Sequence, residues 1–158
     1  MAGPRVEALL ARLERGRQKT LEILGRLAPE QWQRVVYPEP YPWTARDLLA
    51  HFVSSEPALL QMCQDVASGG PGTPEGFDFD AFNAEEWKRL AGRSPQDLLE
   101  ALAHIRQETL EWLRAIDDDR LDLVGRHPAL GEVSLETMIL AIYGHQLLHV
   151  RDLQSAIA

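Results

Sequence analysis

The run Ser134 to Ala158, SLETMILAIYGHQLLHVRDLQSAIA, decides the fold class. Ser134 offers an N-cap hydroxyl, and the run reads as one long helix to nearly the last residue. Met138, Ile142, His145, His149 and Leu153 follow in steps of four, three, four and four, the spacing that keeps one helix face turned inward. Two histidines are therefore expected within an apolar stripe.

Three further segments have the same period. Val6, Leu9, Leu10, Leu13, Leu21, Leu24 and Leu27 predict a first amphipathic helix, which Pro29 ends. Pro38, Pro40 and Pro42 make Val35 to Pro42 an extended connection. Thr44 and Asp47 then form a short-armed capping box for a second helix, with Leu48, Phe52, Leu59 and Cys63 on one stripe and an expected kink at Pro57. Ser94, Pro95 and Asp97 open a third, whose buried face is read as Leu98, Leu102, Ile105, Trp112 and Ile116. Ser68 to Asp80 is rich in glycine and proline and too long for a tight turn, so it is expected to cross the bundle. A short helix is expected over Ala81 to Leu90, and the acidic residues Asp117 to Asp119 with His127 to Gly131 make the last connection. Four long amphipathic helices with almost no strand signal predict an all-α four-helix bundle, with a long crossover between the second and third long helices and a single domain over 1–158.

The 158 residues are 45% hydrophobic and 25% charged, which fits a globular chain and neither a disordered nor a fibrous one. Sixteen Lys and Arg against 24 Asp and Glu leave a net charge of −8, which repels phosphate backbones and anionic lipid surfaces; neither nucleic acid nor membrane is an expected partner. Cys63 is the lone cysteine, so no internal disulfide can form and no cysteine pair can build a structural zinc site; a reducing cytoplasm is the expected compartment. The longest uninterrupted apolar run, Met138 to Tyr143, is far short of a membrane span. Charges from Arg5 to Lys19 break up any export signal, and the mature chain is expected to begin where the sequence does.

Residues four apart on a helix lie about 40° apart around its axis and one turn apart along it. His145 and His149 can thus converge on one ion, which is metal-ligand spacing. The competing reading makes each a core histidine bonded to a neighbour. A third ligand would come from another helix, and His51 is the best candidate, its neighbours Ser55, Leu59 and Met62 putting it at the edge of the apolar stripe. Glu56 stands between Phe52 and Leu59 on that stripe, where an unpaired carboxylate is costly; it either supports the site from behind or is poorly buried. Five positions from His51 is roughly 140° around the axis, so the two are not expected to touch one atom. His104 shares its face with Glu100, Glu108 and Glu111 and is read as a solvated residue, and His127 before Pro128 as a turn or lid residue. Cys63 is expected to be buried and inert, and Trp43, Trp87 and Trp112 are core or pocket wall.

Three separated motifs occur in order: Trp-Thr-x-x-Asp-Leu-Leu-x-His over Trp43 to His51, His-Pro-x-Leu-Gly over His127 to Gly131, and His-x3-His over His145 to His149. Together they resemble the DinB/YfiT-like superfamily over nearly the whole chain. The resemblance implies a four-helix bundle with a long crossover, a divalent metal held by His51, His145 and His149, and a homodimer. Relatives include thiol-dependent S-transferases and isomerases. Many relatives carry glutamine three residues after the last ligand where this chain has Asp152, which either orients His149 through its second ring nitrogen or pairs with Arg151.

Three imidazoles with no evident fourth protein ligand leave a coordination position open, as catalytic sites do. Zinc is the default ion, with nickel, iron or copper also suited to imidazole. The expected activity is metal-dependent chemistry on a small molecule, with the ion lowering the pKa of a water or a thiol. The reaction would be S-transfer with a low-molecular-weight thiol as co-substrate, or hydrolysis. Glu56, Asn83 and Trp43 are the candidates for pocket walls or proton handling. The alternative is a non-catalytic metal- or small-molecule-binding bundle, or a dimeric stress-related scaffold.

Overall fold

The computed structural model describes residues 2–158. Its long helices are α1 (Pro4–Gly25), α2 (Ala45–Ala67), α4 (Pro95–Arg114) and α5 (Leu135–Ile157), with a short α3 (Phe79–Arg89) in the connection between α2 and α4. Thr44, Ser94 and Ser134 cap α2, α4 and α5 through the amides of Asp47, Asp97 and Thr137. Asp78 caps α3 through Ala81. The Asp47 carboxylate also accepts the Thr44 amide at 3.0 Å, which completes the capping box. The helix α2 runs on through Pro57. α1 lacks a side-chain cap of its own. Asp118 supplies one from across the fold, accepting the amides of Gly3, Arg5 and Val6 at 3.1, 2.9 and 2.9 Å.

Helices α1 and α2 each pack mainly against α4 and α5. Two buried apolar clusters occupy the two ends of the bundle. One gathers Val6, Leu13, Met62, Leu113, Met138 and Ile142. The other gathers Leu24, Leu48, Phe52, Leu98, Val150 and Leu153. The order in which each helix visits the clusters gives its direction: α1 and α5 run from the first to the second, α2 and α4 from the second to the first. Since α2 and its neighbour α4 are parallel, residues 68–94 must return along the bundle, and this is the long crossover expected from the glycine- and proline-rich stretch.

Between the clusters all four long helices meet in a buried polar knot. Glu56 and Arg106, 0% and 2% exposed, form a bidentate pair at 2.8 and 2.9 Å. Thr109 and Gln146 donate to the same carboxylate, and Arg106 donates to Gln146 and to the Leu13 carbonyl. Every oxygen and nitrogen of the pair is thereby engaged, the condition under which a buried ion pair is tolerated.

Burial departs from the expected stripes by about one position. On α4 the core positions are Leu98, Leu102, Arg106, Thr109, Leu110 and Leu113, while Ile105, Trp112 and Ile116 are only partly buried. Gln146 and Val150 take the core on α5, and His145 and His149 sit at its border rather than on the buried face itself. On both helices the unexpected core positions include members of the polar knot, Arg106 and Thr109 on α4 and Gln146 on α5.

Two antiparallel ribbons, not expected from the sequence, bring loop residues to the bundle. β1 (Val35–Tyr37) pairs with β2 (Trp43–Thr44), matching Tyr37 with Trp43. β3 (Val124–His127) pairs with β4 (Gly131–Ser134), matching His127 with Gly131. Each ribbon ends at a helix start and so fixes its side chains against that helix. The crossover is tied to β3: Thr73 donates its amide to the Arg126 carbonyl and Arg126 its own to Pro71, both under 3 Å. No helix among the described residues is long and apolar enough to cross a membrane.

Candidate metal centre and its cavity

His51 enters from the second turn of α2 and His145 and His149 from successive turns of α5. Their Nε2 atoms converge: His51 to His145 is 3.0 Å and His149 to His145 is 3.1 Å. One ligand atom from each ring fits within 4.8 Å of the others, and among the described residues this is the one such group. Phe52 packs near both α5 rings and Trp43 near His51, with ring centres 5.2 to 6.2 Å apart.

Burial strips water from the rings and disfavours their cationic forms. It pushes His51 down to about 3, with the His145 and His149 rings adding to the effect. His145 falls to about 4 from burial and from His149 and His127. His149 is lowered by burial too, with Asp152 opposing. Near pH 7 the group offers neutral imidazoles, the form that ligates a cation.

The tautomer of His149 is set from behind. Tyr37 Oη lies 2.7 Å from His149 Nδ1 and donates its own proton to Asp152. Burial and the Asp152 carboxylate hold the tyrosine hydroxyl protonated. Its oxygen therefore accepts from Nδ1–H, which leaves the Nε2 lone pair facing the other two histidines. Asp152 acts on His149, but through Tyr37. Sequence reasoning missed Tyr37, because only the β1–β2 ribbon brings it to α5; its one signal was its place beside the proline run.

The rings form part of the wall of a cavity of about 1220 Å³. Its lining is mostly apolar and aromatic, including Tyr41, Phe77, Phe79, Phe82, Leu130 and Leu148, and its carboxylates are Glu39, Asp78 and Asp80. Trp43 and Asn83 line it, as expected for pocket-wall residues. Glu56 does not: its carboxylate is turned into the core and saturated by Arg106, Thr109 and Gln146, which corrects the expectation that it handles protons at the site. His127 lines the cavity and closes its own turn, with Nδ1 accepting the amides of Ala129 and Leu130 at 3.0 and 3.1 Å. His104 is exposed and pairs with Glu108. Cys63 is buried, which pushes its thiol up to about 12 and keeps it protonated.

The DinB superfamily model matches residues 12–153, and the chain belongs to that superfamily. Solved structures share its fold. YfiT from Bacillus subtilis, described as a probable metal-dependent hydrolase with an unusual four-helix bundle topology, is 17% identical with a TM-score of 0.75, over 96% of this chain and 85% of that one. A mycothiol-dependent maleylpyruvate isomerase is 18% identical with a TM-score of 0.77, over 94% of this chain; the match spans only 60% of the isomerase. The colibactin self-resistance protein ClbS, solved in complex with double-stranded DNA, is 14% identical with a TM-score of 0.72 over 97% of both chains. No curated protein matches the sequence.

Proposed function

We propose that the protein is a metal-dependent enzyme acting on a small molecule, with His51, His145 and His149 as the ligands of one divalent cation. The convergence of three Nε2 atoms at the wall of a large cavity carries this reading. Three neutral nitrogen donors suit zinc first, then nickel or iron, and leave a position open to the cavity. A cation held there would lower the pKa of a water or a low-molecular-weight thiol and so supply a nucleophile at neutral pH.

The remaining work falls to the chain itself. Tyr37 and Asp152 orient His149, and Phe52 and Trp43 pack around the rings and restrict water. Asn83 lines the cavity wall, which supports a role for it in contacting substrate. The reaction class is thiol-dependent transfer or hydrolysis. A mycothiol-dependent neighbour supports the first and a probable hydrolase the second, and both are related to this chain by fold alone. The net charge of −8 and, among the described residues, the absence of lysine and arginine from the cavity lining favour a small-molecule substrate over nucleic acid, although ClbS binds DNA with the same fold.

The test is turnover by zinc-loaded protein of a panel of thiols paired with electrophiles and a panel of esters. Activity that disappears in His149→Ala while the helical circular dichroism persists supports the proposal. Activity that survives that substitution unchanged, or no turnover of any pair, contradicts it.

A further inference from the structure

Buried polar atoms in native proteins nearly always have a hydrogen-bond partner, so exceptions point to a ligand or a strained group. Among the described residues four buried side-chain polar atoms have no protein partner: Trp43 Nε1, His51 Nδ1, Ser55 Oγ and His127 Nε2. All four belong to residues that line the large cavity beside the three histidines. No orphan occurs elsewhere in the described core, where even the Glu56–Arg106 pair is fully satisfied.

Two of these residues lie outside the histidine triad and are more than nine-tenths buried: Ser55 and His127, each 8% exposed. Ser55 is one helical turn beyond His51 on α2, and His127 comes from β3 and lines the same cavity wall as the three histidines. Geometry fixes what His127 can offer. Its Nδ1 accepts two main-chain N–H groups, so the proton of the neutral ring is on Nε2, which makes that atom a donor. Ser55 can donate as well. Neither Lys nor Arg lines the cavity among the described residues, while Glu39, Asp78 and Asp80 do. Apart from a bound cation, the walls have nothing to neutralise an anion and three groups that repel one.

We infer that Ser55 and His127 form a positioning subsite for an uncharged, largely apolar substrate, hydrogen-bonding a neutral acceptor oxygen such as an ester, amide or ketone carbonyl beside the three histidines. This rests on the reading of the cavity as a substrate site, but not on which metal it holds. The aromatic wall at Phe77 and Phe82, with ring centres 5.9 Å apart, takes the apolar part. His127 acts by holding the substrate, so its loss alters selectivity rather than removing the site.

The experiment compares three probes of one shape by calorimetric or fluorescence titration of the full-length chain, with and without one equivalent of zinc: 3-phenylpropionamide, 3-phenylpropionate and 3-methylbutylbenzene. Without zinc the wild type is expected to bind the amide about tenfold or more tightly than the carboxylate. Ser55→Ala and His127→Phe should each weaken the amide about tenfold while leaving the hydrocarbon nearly unchanged. A misfolded variant would lose both, and Ser55→Ala stands as the test should His127→Phe fail to fold. Carboxylate binding equal to or tighter than the amide, a parallel loss of amide and hydrocarbon in folded Ser55→Ala, or binding of none of the probes overturns the inference. Failure of the wild type to take up zinc in the same titrations would instead overturn the metal reading and leave the amide preference standing.

Discussion

Tyr37 Oη lies 2.7 Å from His149 Nδ1 and donates its hydrogen bond to Asp152, so a residue of the first ribbon decides which nitrogen of an α5 histidine faces the cavity. Partners of this kind behind a metal ligand typically account for a factor of 10–100 in affinity. Tyr37→Phe keeps the ring and removes the relay. Zinc affinity, measured by competition with a chromophoric chelator, is expected to fall about tenfold, with the helical content unchanged. Unchanged affinity would show that the relay does not govern His149.

The Glu56–Arg106 pair ties four helices at the boundary between the two apolar clusters. Removing one partner leaves a buried charge alone, so Arg106→Leu should lower stability by about 3–5 kcal/mol in urea unfolding. Adding Glu56→Leu to that variant should recover much of the loss, because two apolar side chains do not strand a charge. A double variant no more stable than the single one would contradict this account of the knot.

How much of this was legible in the sequence follows from the range of each interaction. His145 and His149 share one helix, so their convergence follows from helical spacing alone, and the caps at Thr44, Ser94 and Ser134 are equally local. His51 joins them only through the packing of α2 on α5, for which the sequence offers an edge position and the family resemblance. Glu56 was visible as a carboxylate on an apolar face, but its partner is 50 residues away on α4. Arg106 did leave a trace, since it follows Leu98 and Leu102 in steps of four. Tyr37 and the donor role of His127 were not legible, because each depends on a two-stranded ribbon whose register a run of prolines or a His-Pro turn does not announce.

At the start of α1, burial works to raise the Asp118 pKa, but the amides of Val6, Arg5 and Gly3 and the Arg5 charge outweigh it and hold the carboxyl below its ordinary value. A folded-state pKa below the unfolded one, about 3.9 for a free aspartate, adds stability that is complete above that value and is lost as pH falls through the folded pKa. Asp118→Ala should therefore lower the melting temperature at pH 7, and the gap to wild type should narrow below about pH 4. Melting curves from pH 2 to 7 decide it; a gap that stays constant into acid would contradict the assignment.

Gly72 has a φ of +88°, and a Cβ there would come within 2.6 Å of the Arg126 carbonyl oxygen, where the crossover lies on β3. Gly72→Ala should cost about 1–3 kcal/mol in urea unfolding, from the strained backbone and the lost docking. Zinc affinity should not change, since none of the three histidines lies on this strand. A fully stable Gly72→Ala would mean that the crossover docks differently.

The account stands or falls on the ion. Elemental analysis of untagged protein by plasma mass spectrometry, beside a His145→Ala, His149→Ala double variant, measures it directly. The expected result is about one transition-metal ion per wild-type chain and none in the folded variant, as a single three-histidine site requires. Metal-free wild-type protein that also refuses added zinc, nickel and iron would contradict it and return the three histidines to a structural role.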